Sequence, residues 1–385
     1  MKRFFYLLLF VTVCSCSERD IDIPSDGLCA KGIETKANES YSEFYTEKEI
    51  SEKVSKLFES EIQVSDITWV QGNSQKSSYY LVEFSSSDGN SGYSAYPAFK
   101  KIDEPLCFVE NGSVQDTVFI EPLKMFFQGI EDYLSLKVKQ TEEDTIPVTK
   151  SLPDLPSDGT IIDSYTIITQ DTLLKTCPVN WGQCAPLGAN ISDDRGYCSV
   201  VAVAQTMAFH QRAFKQIVSQ TDWPSMISGQ RNDIVACLGY ELHQDLYYLG
   251  TLIPPLPTRV VDVFNNNNYD ADSHSGFNAS SVVEYMEDGP VILLGFYQNA
   301  VTNPGTGHYW IADGCRTTTV TIINVYERDW NGETIQYEGV GNEYVSRVFH
   351  YNWGWSGSSN GWFNSGVFQP DENNYNNNMN MIHVQ

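Results

Sequence analysis

At 385 residues the chain has room for two or three domains rather than one small module. Hydrophobic residues at 41%, aromatics at 13% and charged residues at 19% exclude a wholly disordered or collagen-like polymer. The net charge of -25 is shared evenly between the two halves, so neither is an acidic tail, and the basic footprint of a nucleic-acid binder is missing.

Lys2 and Arg3 precede an apolar run over 4–13, the charged and hydrophobic regions of an export signal. At about ten residues this run is too short to span a bilayer. It ends in Val13-Cys14-Ser15-Cys16, which resembles a bacterial lipobox. That resemblance implies cleavage before Cys16 and a diacylglycerol on its thiol; an ordinary secretory signal cut nearby is the alternative. Either way the chain is expected outside the cytoplasm, with lipid on Cys16 as its membrane attachment. Nine cysteines less Cys14 and Cys16 leave an odd number, so an exported form keeps at least one thiol.

A leading module is expected over 17–145. Val54, Leu57 and Phe58 share a helical face, Tyr79-Tyr80-Leu81-Val82-Glu83-Phe84 and Leu106-Cys107-Phe108-Val109-Glu110 read as strands, and 123–136 carries apolar residues at one helical face. Over 146–174, Pro147, Pro153, Pro156 and Gly159 interrupt a polar run without a sustained period, which reads as a linker. The trailing module, 175–385, contains the chemistry.

There, Asp193-Asp194-Arg195-Gly196-Tyr197-Cys198 leads into a small and apolar run through Phe209, the pattern of a buried helix with Cys198 at its start. A sulfur in that position faces backbone N–H groups and the positive end of the helix dipole, the setting in which cysteine is made nucleophilic. A structural core thiol is the competing reading, since cysteine is among the most buried residue types. A base shifts the balance. Gly305-Thr306-Gly307-His308-Tyr309-Trp310 places His308 after a Gly-flexible loop, at the start of an apolar strand ending in Asp313-Gly314. Asn352-Trp353-Gly354-Trp355 forms a turn after another strand, where the Asn352 oxygen can hold an imidazole N–H and an indole can shield it. Gln183, in Trp181-Gly182-Gln183, supplies an amide N–H able to meet an oxyanion together with the Cys198 N–H.

Gln, Cys, His and Asn in that chain order resemble the streptopain family, secreted bacterial cysteine peptidases of the papain-like type made as zymogens. The features that carry the resemblance are the step from Cys198 to Gln205 within a small-residue helix, the Gly-His-apolar strand ending Asp-Gly, and the Asn-Trp-Gly-Trp turn. It implies an α+β chain in which a small α+β propeptide domain precedes a papain-like domain, a central helix packed on an antiparallel sheet. It further implies Cys198 as nucleophile, His308 as base and acid, Gln183 as oxyanion donor, and Asn352 and Trp353 as the groups that orient and shield His308. Tyr197 departs from the family pattern, which has Gly before the nucleophile; a bulky side chain there can narrow the cleft or alter specificity.

The expected partners are protein or peptide substrates and the chain's own propeptide as inhibitor, with no nucleic acid. No cofactor or metal is expected, because the His and Cys spacings match no zinc pattern and no phosphate-binding Gly loop occurs. Lysines fall almost wholly at or before Lys175, with Lys215 beyond, so activation cleavage is expected in the linker, for instance after Lys150 or Lys175. Other thiol acyl transfer (transglutaminase- or amidase-like) and an inactive surface-binding lipoprotein remain the alternatives. Cys184 lacks a following helix, and His350 reads as a packed strand residue.

Overall fold

The structure, a computed structural model, describes residues 43–58, 60–116, 121–143, 160–191, 197–247, 254–296, 307–330, 333–368 and 379–385. The export segment, Cys16, Cys29, Lys150, the loop 192–196 before Tyr197 and the Gly305-Thr306 step lie outside the described residues.

The chain is a mixed α and β protein organised on one large antiparallel sheet. The leading residues form helix α1 (Glu47–Ser55), strands β1 (Ile62–Val70), β2 (Tyr79–Ser86), β3 (Ser91–Pro97) and β4 (Cys107–Val109), then helix α2 (Glu121–Glu143). Thr46 and Glu49 close a capping box at the start of α1, each side chain meeting the other's backbone N–H. The trailing residues supply β5 (Thr160–Leu174), the helices α3 (Cys198–His210), α4 (Trp223–Ile227), α5 (Asn232–Leu246), α6 (Pro257–Asn265) and α7 (Ala279–Met286), and a short helix α8 (Ser365–Phe368). Their strands are β6 (Ala271–Ser275), β7 (Val291–Phe296), β8 (Gly307–Trp330), β9 (Glu333–Asn352), β10 (Gly361–Asn364) and β11 (Met379–Val384). The sheet order is β1-β2-β3-β4-β10-β9-β8-β7-β11-β6, with β5 paired to the distal part of β8.

Two features differ from the sequence reading. The stretch read as linker ends in strand, because 160–174 is rich in Ile and Thr, whose branched side chains suit an extended backbone, and β8 offers an antiparallel partner from Gly314 to Glu327. Lys175 is consequently tied down, its N–H donating to the Asp313 carbonyl (2.9 Å) and its ammonium to the Glu287 carbonyl (2.7 Å). The leading and trailing halves also share one sheet, because β4 pairs with β10, Cys107 opposite Phe363 and Phe108 opposite Trp362.

Strand alternation divides the core between the halves. From β7 and β8, Ile292, Leu294, Tyr309 and Ile311 face α3 and α5, whereas Leu293, Trp310 and Ala312 face the other way. That second face packs with Leu123, Phe126 and Ile130 of α2, so the leading half covers one side of the sheet that carries the site. Helix α3 is buried all round from Cys198 to Ala208, as its near-continuous apolar sequence requires. It ends without Gly or Pro: Gln211 adopts the left-handed backbone (φ 54°) and returns its N–H to the Met207 carbonyl at 2.8 Å.

His210, in the last turn of α3, is held neutral. Burial first, and the positive charge of Arg212 second, push its imidazole down from 6.5 to about 4, against the opposing pull of Asp288. The unfolded chain therefore binds this proton more readily. The contribution of His210 to stability is complete above about pH 6.5 and declines as pH falls toward about 4. Urea midpoints measured across that range are expected to fall less steeply in His210→Gln than in the parent chain.

Candidate active site

Cys198 is the first residue of α3, where backbone N–H groups have no intrahelical acceptor. Its side chain is 6% exposed, and its Sγ accepts the N–H of Tyr309 at 3.3 Å. Tyr309 follows His308 at the start of β8, so standard backbone dimensions put the His308 Cα within about 6 Å of the sulfur. The packing of α3 onto β8 thus brings 198 and 308 together. His308 is 4% exposed.

One ring nitrogen of His308 is assigned by its partner. Nε2 lies 3.0 Å from the Trp353 carbonyl oxygen, which can only accept, so Nε2 carries a proton. The acceptor that orients the imidazole is therefore a backbone carbonyl rather than the expected Asn352 side chain. The indole stacked on the imidazole is that of Trp355, ring centroids 6.2 Å apart and 12° from parallel. Trp353 has its own indole in the core, against Trp310, Tyr351 and Phe363 at 5.0–5.4 Å, with Nε1 donating to the Ser359 carbonyl at 2.9 Å.

Asn352 works one step back from the imidazole. Its Oδ1 accepts the Gly354 N–H (3.1 Å), which folds the turn that presents the Trp353 carbonyl, and also accepts Gln205 Nε2 at 3.3 Å. Its Nδ2 donates to Asn180 Oδ1 at 3.2 Å. Gln205, on the inner side of α3 and fully buried, donates the same Nε2 to the Trp181 carbonyl at 2.8 Å. Through these two amides the helix, the 179–183 segment and the Trp turn are locked to one another. Gly354 has φ 77°, and a Cβ there would stand 3.0 Å from Val201 Cγ1, so glycine is what lets the turn approach the helix.

Gln183 reaches the start of α3 by way of Tyr197. The Tyr197 N–H donates to Gln183 Oε1 at 3.1 Å, and the Tyr197 hydroxyl donates to the Gln183 backbone carbonyl. The Gln183 amide oxygen is thereby fixed against the backbone of the residue that precedes Cys198. The residue that departs from the streptopain pattern is therefore the one that grips Gln183. Trp355, Gln205 and Asn180 were not assigned roles from the sequence; the available signal was the Trp355 position within the Trp/Gly turn and the α3 spacing of Gln205.

Three other thiols are held in the protonated form by burial. Burial pushes Cys107 up to about 12 and Cys315 up to about 11, and raises Cys177 further. Cys184 and Cys237 are exposed, and among the described residues no disulfide forms. His350 pairs with buried Asp313, Nδ1 to Oδ1 at 2.5 Å, so that imidazole is committed elsewhere. Among the described residues no group of three or more His, Cys, Asp or Glu gathers to hold a metal ion, and no helix is long and apolar enough to cross a membrane.

No protein-family model, no curated protein and no solved structure matches the chain.

Proposed function

We propose that the chain is a papain-like cysteine endopeptidase of the streptopain type, exported, attached by lipid at Cys16 and made as a precursor. The observation that carries this reading is the hydrogen bond from the Tyr309 N–H to Cys198 Sγ, which joins the residue after the candidate base to the candidate nucleophile. The reaction is acyl transfer. His308 Nδ1 takes the thiol proton, and the sulfur attacks a peptide carbonyl. The oxyanion is met by the Cys198 N–H and Gln183 Nε2; the imidazolium then protonates the leaving amine, and water, deprotonated by His308, hydrolyses the thioester. The resting cysteine and histidine are both buried.

The test is hydrolysis of a casein or peptide library by the chain after cleavage within 146–159, with an amine acceptor present. Peptide products support the proposal; amine-capped products point to transglutamination. Neither, with Cys198 no more reactive toward iodoacetamide than an exposed thiol, defeats it. Gln183→Ala is expected to lower kcat by about 10²–10³ with little change in KM, the cost of one oxyanion donor, read by steady-state kinetics.

A further inference from the structure

The turn that carries the His308 acceptor is conformationally costly. Within it Gly354, Ser356, Gly357 and Ser359 all have left-handed backbone, φ 77°, 55°, 87° and 57°, and the two serines pay a steric penalty that glycine does not. Such a turn persists only when its surroundings hold it, and here much of the hold comes from the leading half. The Asn111 carbonyl accepts the Ser359 N–H at 2.8 Å. Asp116 Oδ2 accepts from Ser358 Oγ at 3.0 Å and from Ser359 Oγ at 2.8 Å, and is itself fixed by the Ser113 N–H at 3.0 Å. A Cβ on Gly112 would stand 3.0 Å from the Ser359 Cα, so the two segments are in close backbone contact.

Ser359 passes the restraint inward. Its carbonyl accepts Trp353 Nε1 at 2.9 Å, Asn360 Oδ1 accepts the Trp353 N–H at 3.1 Å, and the Trp353 carbonyl accepts His308 Nε2. The contact is backed by β4 on β10 and by Phe126 of α2 against Phe363 and Phe368, ring centroids 5.1 and 5.6 Å apart. We propose that the leading half is a lasting part of the active site rather than a cover discarded on activation: after the linker is cut it stays as a second chain, and Asp116 is a positioning residue for His308. The positioning role rests on the reading of Cys198 and His308 as the reacting pair; the retention does not.

The experiment places a site for a sequence-specific protease within 146–159 of the full chain, cuts it, and runs gel filtration without denaturant. The two fragments are expected to co-elute; separate elution overturns retention. Amide hydrogen exchange is then compared in the parent, Asp116→Ala and Asp116→Asn, the last keeping one acceptor oxygen. Exchange at Trp353 and Ser359 is expected to accelerate at least tenfold in Asp116→Ala and less in Asp116→Asn; equal exchange in all three overturns the brace. Finally, the pH profile of Cys198 alkylation by iodoacetamide, read by peptide mass, is expected to show a displaced histidine inflection in Asp116→Ala. An unmoved inflection with accelerated exchange overturns the positioning role alone. A parent Cys198 with no histidine inflection defeats the reacting-pair reading, and leaves retention and bracing to the first two measurements.

Discussion

Cys198→Ala is expected to abolish peptide hydrolysis, lowering kcat/KM by at least about 10⁴-fold, because no other group can form the thioester. The alternatives nearby are unsuited. Cys177 is deep in the core, its Sγ turned to the Val179 carbonyl at 3.3 Å, and Cys184 lies in the segment after Gln183 with no helix start beneath it. The substitution is also mild for the fold, since it removes one sulfur from a helix that is otherwise packed through Val200, Val201, Val203 and Ala204. The measurement is turnover of a peptide substrate beside the thermal midpoint of the same preparation. A fully active Cys198→Ala chain with an unchanged midpoint would overturn the assignment.

Trp353→Ala is expected to be the most damaging substitution in the Trp/Gly turn, costing about 3–5 kcal/mol of stability through the cavity it leaves between Trp310, Tyr351 and Phe363. It also removes the Nε1 bond to Ser359, one of the two bonds that fix the residue whose carbonyl orients His308. Trp353→Phe separates these contributions: it retains most of the ring packing and loses the donor. Urea unfolding is expected to show a smaller loss for Trp353→Phe than for Trp353→Ala. Activity, measured where both variants are fully folded, is expected to fall in both, because the turn is loosened in each.

The local chemistry was more legible than the assembly. Cys198 at a helix start, His308 beside the first residue of a strand and Asn352 as the last residue of another could be read from sequence, because each sits where a run of small or apolar residues begins or ends. The hydrogen-bond roles could not. Asn352 and the Trp353 carbonyl are adjacent, and only the bend closed by the Gly354 N–H decides which of them meets the imidazole. Tyr197 read as an obstruction, because nothing in its neighbours shows that its N–H and hydroxyl both reach back to Gln183. The linker was misjudged beyond Thr160 because its prolines and Gly159 drew attention from the Ile- and Thr-rich residues that follow, whose partner strand lies far along the chain. The joining of the two halves was hidden for the same reason: a three-residue strand, β4, carries the junction, and so short a run has no period of its own.

That junction also has a kinetic consequence. Pairing Cys107 with Phe363 closes a loop spanning most of the polypeptide, and contacts of such long sequence separation form late and slowly. A ribosome delivers β1 to β4 first, yet the edge of β4 gains its neighbour only when β10 has been made, after every strand from β5 to β9. Until then the three β4 residues and the apolar side of α2 must wait without their mates, a state open to mispairing with other nascent chains. Truncating the gene anywhere before Gly361 would make that waiting state permanent.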